Sequence, residues 1–409
     1  MSGSYQSSQH ATCRAGRGFT FVELLVAGFL GAIVLVTTYL IFTANSRQYY
    51  VQEQIVQMQE GMRFAVEYLK GDLRSAGRLV VVNGVERFNG RADSGRDPQF
   101  CRIRANYRAV ELLENRATPG VLTRYNNQLR PDRLRLLVDG SGAAPLAVNR
   151  IQGTEVVLEG PLQQPSSASR RIVENQSIFT DAFRSGYFLY LMTRSGESDL
   201  VPIQAVVFAD GGSRVRLSAE TCPTGGGATF ASKCFGGDCL AVPVQWIEYA
   251  VEADENLPEK TRLVRRVIHA RTSNILPSET INLADYIVDF RVWGTYDTRP
   301  EGAPIGTPPA IASDENPIDD IGNWRIEEEN LIMNRRPDRI RSMNVILAMR
   351  TEREDPGFRV APDRDDEASA RVLADRTWFE LNPAAGTGYA RVATIQTELE
   401  APNMYRGTR

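Results

Sequence analysis

Gly18-Phe19-Thr20-Phe21-Val22-Glu23-Leu24-Leu25-Val26-Ala27-Gly28-Phe29, running on through Ile33-Val34-Leu35-Val36 to Phe42, decides how this chain is read. From Phe19 to Phe42 the sole charged residue is Glu23. A helix needs roughly 20 apolar residues to cross a hydrocarbon core of about 30 Å, so residues 19–42 predict one membrane crossing. Residues 1–18 hold Arg14 and Arg17 and no acid, which predicts a cytoplasmic N-terminus with the remainder of the chain across the membrane. A secretory signal would place a small-residue cleavage site after the apolar run. Here the run leads into Thr43-Ala44-Asn45-Ser46-Arg47-Gln48, so the span is expected to be retained.

Glu23 is the anomaly of this stretch. An unpaired acid at depth in a membrane helix costs about 2–3 kcal/mol or more, so it needs a partner or a task. It could equally sit at the interface, where its charge favours a helix N-terminus.

Beyond Ser46 the pattern becomes amphipathic without a break. Ile55, Met58, Met62, Ala65 or Val66, Leu69, Leu73 and Ala76 recur at three and four, while Gln52, Glu53, Gln57, Glu60, Arg63, Glu67, Lys70 and Arg74 fill the other face. Gly77 is a C-terminal stop. Residues 19–77 therefore predict one helix of about 85 Å, its transmembrane half at 19–42. An anchor followed by a separate helix is the rival arrangement, with Gly28, Gly31, Gly61 and Gly71 as soft points of about 1 kcal/mol each.

Residues 78–409 read as a β-rich head, giving an α+β chain. Strands are expected at Arg133–Val138, Glu155–Glu159, Tyr187–Met192, Ala205–Phe208, Arg214–Ser218, Val244–Val251, Arg262–Ala270, Ile287–Thr295, Met343–Arg350 and Ala390–Glu400. Alternation such as Val244-Gln245-Trp246-Ile247-Glu248-Tyr249 predicts antiparallel sheet with one face buried. Exposed irregular loops are expected at 160–172, 221–241, 297–323 and 352–370, with room for two subdomains divided near 221–241.

Composition narrows the function classes. The 409 residues carry 47 basic and 50 acidic side chains, interspersed, for a net charge of −3, and no basic patch that would hold nucleic acid. His10 and His269 are the only histidines, no nucleophile elbow or phosphate loop is present, and His269 reads as an ordinary strand residue. These features point away from an enzyme, and no cofactor is expected.

The stretch Gly18-Phe19-Thr20-Phe21-Val22-Glu23 followed by an apolar helix resembles the type III signal of type IV prepilins and pseudopilins. The resemblance implies that residues 1–18 are a leader, that a membrane prepilin peptidase cuts between Gly18 and Phe19, and that Phe19 is then N-methylated. It also implies that Glu23 neutralises the terminal amine of a neighbouring subunit during assembly. The pilin-like fold it implies is a long helix packed on an enlarged antiparallel β head. Met58-Gln59-Glu60-Gly61-Met62-Arg63, Leu69 through Gly77, Ile247–Val251, Arg262–Arg265, Ile287–Gly294 and Asp338–Val345 further resemble the PilW minor pilins, whereas the closing Leu399-Glu400-Ala401-Pro402-Asn403 departs from that family's end. The PilW likeness implies a minor pilin that primes type IV pilus assembly and is incorporated at or near the tip. Twitching motility and adhesion would then depend on it. Other minor pilins, the major pilin and a tip protein would be its partners, and inner-membrane lipid would surround its helix before assembly. A type II secretion pseudopilin resembling the GspJ class shares the same N-terminus. A tip adhesin whose head binds a ligand is a third reading.

Removing the leader would leave 45 basic and 50 acidic residues, a net of −5, because Arg14 and Arg17 are lost from the 47. Cys13 would also go, leaving Cys101, Cys222, Cys234 and Cys239. An even number in an oxidising compartment favours two disulfides, with three possible pairings. Cys234-Phe235-Gly236-Gly237-Asp238-Cys239 could close a local bridge, and Cys101 with Cys222 would then tie a long loop worth roughly 4–5 kcal/mol. Zinc is the rival use of four thiolates, but no Cys-x-x-Cys pair exists. The acidic run Ser313-Asp314-Glu315-Asn316-Pro317-Ile318-Asp319-Asp320 could offer oxygens to calcium but lacks EF-hand spacing, so no metal is expected.

Overall fold

One helix, α1 (Phe21–Ser75), runs from the apolar stretch into the amphipathic one without interruption. The structure, a computed structural model, describes residues 20–76, 109–113, 131–139, 145–159, 175–194, 198–209, 212–218, 230–254, 256–257, 260–298, 311–313, 339–353, 355, 378–379 and 389–402. Two compact units divide at Val56, the second being Gln57–Arg409. The helix is thus a single element, as the periodicity predicts, and Gly28, Gly31, Gly61 and Gly71 do not break it.

The second unit is antiparallel sheet with two short helices. Six strands close a ring: β3 (Leu146–Gln152), β4 (Glu155–Glu159), β5 (Phe188–Thr193), β6 (Ser198–Ala209), β7 (Gly212–Leu217) and β8 (Phe235–Ala253). The ring order is β8-β3-β4-β7-β6-β5 and back to β8. Its register sets Val148 opposite Leu158 and Cys239, and Leu191 opposite Ala241, all of them buried. By period-2 alternation these small and branched side chains share one face of the strands.

β8 also serves a second layer. Its later residues pair on one side with β2 (Arg133–Asp139) and on the other with β9 (Thr261–Ile268). β1 (Val110–Leu113) and β10 (Ile275–Asp285) extend this layer at its two edges. Pro243, which has no N–H for a ladder, falls between Ala241, the last residue paired with β3, and Val244, the first paired with β2.

A separate sheet has the order β12-β11-β13-β15-β14, from β11 (Ile287–Asp297), β12 (Ile311–Ser313), β13 (Ile340–Arg350), β14 (Trp378–Phe379) and β15 (Ala390–Glu400). Tyr286, at φ 58°, links it to β10. Its N–H donates to Thr261 O at 2.5 Å, and its carbonyl accepts from Arg350 N at 3.0 Å. Asp132 joins the layers again, donating its N–H to Phe290 O at 2.8 Å and accepting from Val292 N at 3.0 Å.

Three expectations are corrected. The enlarged antiparallel β head expected with one buried face is instead built around a closed ring, because β8 is long enough to pair with β3 and β5 at once. The expected loop at 221–241 contains α3 (Phe230–Lys233) and the start of β8, because Cys234 and Cys239 are fully buried in the wall of the ring. Strands were also missed at β1, β3, β10, β12 and β14, as was α2 (Gln176–Ala182). In β3 a register shift between Val148 and Arg150 breaks the alternation that reveals a strand, and β10 is a largely exposed edge containing Pro277.

Candidate functional site

The start of α1 is shaped by Thr20 and Glu23. Thr20 N donates to Glu23 Oε2 at 2.9 Å and Thr20 Oγ1 donates to the same oxygen at 3.0 Å. Glu23 N in turn donates to Thr20 Oγ1 at 3.3 Å. This is a capping box, in which a residue before the helix and one three positions on satisfy each other's polar groups. The carboxylate of Glu23 thus has hydrogen-bond partners within its own helix.

The rest of the stretch follows the same economy. Thr37 Oγ1 donates to Ile33 O and Val34 O, both at 2.9 Å, Thr38 Oγ1 to Val34 O at 2.7 Å, and Thr43 Oγ1 to Leu40 O at 3.0 Å. Every residue from Phe21 to Phe42 is exposed, including Phe21, Phe29, Leu35 and Phe42. With its threonine hydroxyls returned to the helix's own carbonyls, α1 is long and apolar enough to cross a membrane.

In the second unit the C-terminal part of α1 is seated on the sheet. Met58, Met62, Ala65, Val66, Leu69 and Leu73 are its buried residues, the stripe expected from the sequence. At its end lies a polar cluster that the periodicity did not reveal. Asp72 Oδ2 accepts from Tyr249 OH at 2.5 Å and from Arg265 Nε at 2.6 Å, while Arg265 Nη2 reaches Oδ1 at 3.4 Å. The Tyr68 ring lies 5.7 Å from the Arg265 guanidinium. Burial, followed by the negative charge of Asp72, pushes the Tyr249 hydroxyl well above the usual tyrosine range. For Arg265, burial opposes the charge, but the hydrogen bond and charge of Asp72 outweigh it and raise its pKa.

From Arg265 the polar contacts continue across the strands. Arg265 Nη2 donates to Gln245 Oε1 at 3.4 Å, Gln245 Nε2 to Tyr187 OH at 2.8 Å, and Tyr187 OH to Glu279 Oε2 at 2.5 Å. Arg184 closes the chain on Glu279 at 3.0 Å. The residues next in sequence to Tyr249 and Arg265 point to the other face of the sheet. There Glu111, Arg135, Glu248 and Arg266 stand opposite one another across β1, β2, β8 and β9, alternating in sign and ion-paired along the row. Burial works against the Glu248 carboxylate, but the charges of Arg266 and then Arg135 hold it below its ordinary range.

Of the cysteines named from the sequence, Cys234 and Cys239 form a disulfide. Cys101 and Cys222 lie outside the described residues, as do Gly18, Phe19, Gly77 and the acidic run from Asp314 to Asp320. His269 lies just past β9 in a turn rather than in the strand. Its Nδ1 accepts from Arg271 N at 3.1 Å and Thr272 N at 3.3 Å, and its ring occupies the space where a Cβ on Gly186 would fall, 2.8 Å away. Among the described residues no group of three or more His, Cys, Asp or Glu side chains could hold a metal ion. No family model, curated protein or solved structure matches this chain.

Proposed function

We propose that this chain is a minor subunit of a type IV pilus, one that helps to prime assembly and is incorporated at or near the tip. The observation that carries the reading is α1 itself: an exposed apolar segment with a single acid near its start continues unbroken into a segment seated on sheet. The sequence Gly18-Phe19-Thr20-Phe21-Val22-Glu23 at its head supports the same reading. In it, cleavage after Gly18 frees the amine of Phe19, which is methylated, and Glu23 exchanges its capping hydrogen bonds for the amine of an adjacent subunit. An ammonium and a carboxylate attract strongly in hydrocarbon, so the pair fixes subunit register.

The Cys234–Cys239 disulfide supports a head on the oxidising side of the inner membrane, with the N-terminus cytoplasmic. Partners are then other minor pilins, the major pilin, a tip protein and the prepilin peptidase. A type II secretion pseudopilin of the GspJ class rests on the same N-terminal observation and is the second reading.

Mass spectrometry of the protein recovered from its host tests the premise. A mature chain beginning at N-methylated Phe19 is expected, and a chain retaining residues 1–18 overturns both readings. Deleting the gene separates them: loss of surface pili and twitching with normal exoprotein release supports the pilus, and the converse result supports secretion.

A further inference from the structure

We propose that Phe235, Arg150, Arg214 and Val207, standing in one row on the exposed face of the ring, form a docking surface for an extended acidic segment of a partner polypeptide. The inference concerns the head alone and does not depend on the pilus reading.

The row is set by register. Phe235 in β8 stands opposite Arg150 in β3, and Arg150 opposite Val157 in β4. Val157 in turn stands opposite Arg214 in β7, and Arg214 opposite Val207 in β6. Neighbouring strands lie about 4.8 Å apart, so the two arginines stand about 10 Å apart and the row spans about 19 Å. Val156 and Val215, next in sequence to Val157 and Arg214, take the other face and are fully buried. Arg150 is exposed and Arg214 half-buried. In the adjacent row Glu155 is engaged by Arg216 at 3.0 Å. No carboxylate among the described residues pairs with Arg150 or Arg214, and the buried Nε of Arg214 has no hydrogen-bond partner.

Phe235 anchors one end. At 72% exposure it is the most exposed large apolar side chain among the described residues of the second unit. The chain holds it there. Cys234 and Cys239 on either side are fully buried and disulfide-bonded, and Asp238 O accepts from Arg194 N at 3.1 Å. Gly236 and Gly237, at φ 64° and 90°, make the left-handed turn between them. An aromatic side chain carried on so constrained a loop loses little freedom on binding, as an interface anchor should.

Charge selects the occupant. Guanidinium forks match carboxylates, and residues three apart in a polyproline-II segment share a face about 9 Å apart, close to the arginine spacing. Acids at such positions meet Arg150 and Arg214, while apolar side chains between and beside them cover Val157, Val207 and Phe235. A long polyanion suits the row less well. The whole chain is net negative at −3, and a short segment responds mainly to charges within a Debye length of about 8–10 Å.

Full-length protein carrying p-benzoylphenylalanine in place of Phe235 is irradiated in its host's membranes, and the adduct is mapped by peptide mass spectrometry. The expected adduct joins a partner polypeptide within about six residues of two acids spaced by three. Arg150→Glu with Arg214→Glu should lower its yield about tenfold or more, and changing the two mapped acids to arginine should restore it. Thermal unfolding is followed in parallel. Should charge reversal unfold the head, Arg150→Gln with Arg214→Gln takes its place, with a loss of the same sign expected. Adducts formed only with lipid, nucleic acid, polysaccharide or this chain itself overturn the proposal. So does the absence of any adduct, or a polypeptide adduct whose yield neither arginine variant changes.

Discussion

Between Phe21 and Phe42 every residue of α1 is exposed, whereas between Met58 and Leu73 buried positions recur at three and four. The backbone is the same helix throughout. In the first stretch polar groups are satisfied within the helix, by the Thr20–Glu23 box and by threonine hydroxyls returned to carbonyls. In the second, Asp72 reaches out of the helix to Tyr249 and Arg265. The contrast shows that a helix declares its surroundings by where its polar groups find partners as well as by its hydropathy.

That contrast can be broken most severely at Asp72. Asp72→Ala leaves Arg265 buried without its carboxylate and should destabilise the head by about 3–5 kcal/mol in denaturant unfolding of the detergent-solubilised protein. Loss of less than about 1 kcal/mol would mean that the pair is solvated and the seat is apolar in substance.

Next in size is a matched pair of truncations. Leu73→Ala, at a fully buried position, should cost about 2–5 kcal/mol, while Leu35→Ala should leave head unfolding unchanged because that side chain is 72% exposed within the protein. Equal effects would erase the distinction between the two stretches. Replacing Cys234 and Cys239 by serine should lower head stability by about 2 kcal/mol, as expected for so short a loop, and leave the helicity of α1 unchanged.

The smallest mutational effect belongs to the capping box. Thr20→Ala should cost the start of the helix about 1 kcal/mol, read as faster amide exchange at residues 21–24 with no change in head unfolding. A pH series sharpens the seat from another side. Folded Tyr249 holds its proton beyond its ordinary value of 10.0, so the unfolded chain releases that proton first. Stability should therefore be intact below pH 10 and decline as pH rises above it, more steeply in the wild type than in Tyr249→Phe. Identical slopes would show that Tyr249 is accessible to solvent.

Much of this was legible because it is periodic. α1 (Phe21–Ser75) announces itself by an apolar run and then a stripe, and β4 and β15 begin and end where alternation places them. Closure of the ring was not legible, since it depends on β8 pairing with strands distant in sequence, one of which has its alternation broken by a register shift. The polar seat was hidden for another reason. Asp72 sits beside Leu73 at the margin of the stripe, and Arg265-Arg266 reads as one basic pair. In the fold these two arginines take opposite faces, one meeting Asp72 and the other Glu248. Nothing local distinguishes them.

β8 has a kinetic consequence. It is at once a wall of the ring and the middle of the outer layer, so neither can be lost while the other stays whole, and the two should unfold as one cooperative unit. β9 follows β8 by a short hairpin, but β2, β3 and β5 lie well before it in the chain, and contacts of such long sequence separation form slowly, over milliseconds to seconds, whereas a helix completes within about a microsecond. During folding, α1 is therefore complete while its seat is still being assembled, and Met58, Met62, Leu69 and Leu73 stand uncovered for that interval. A chaperone acting on this protein would have its work there.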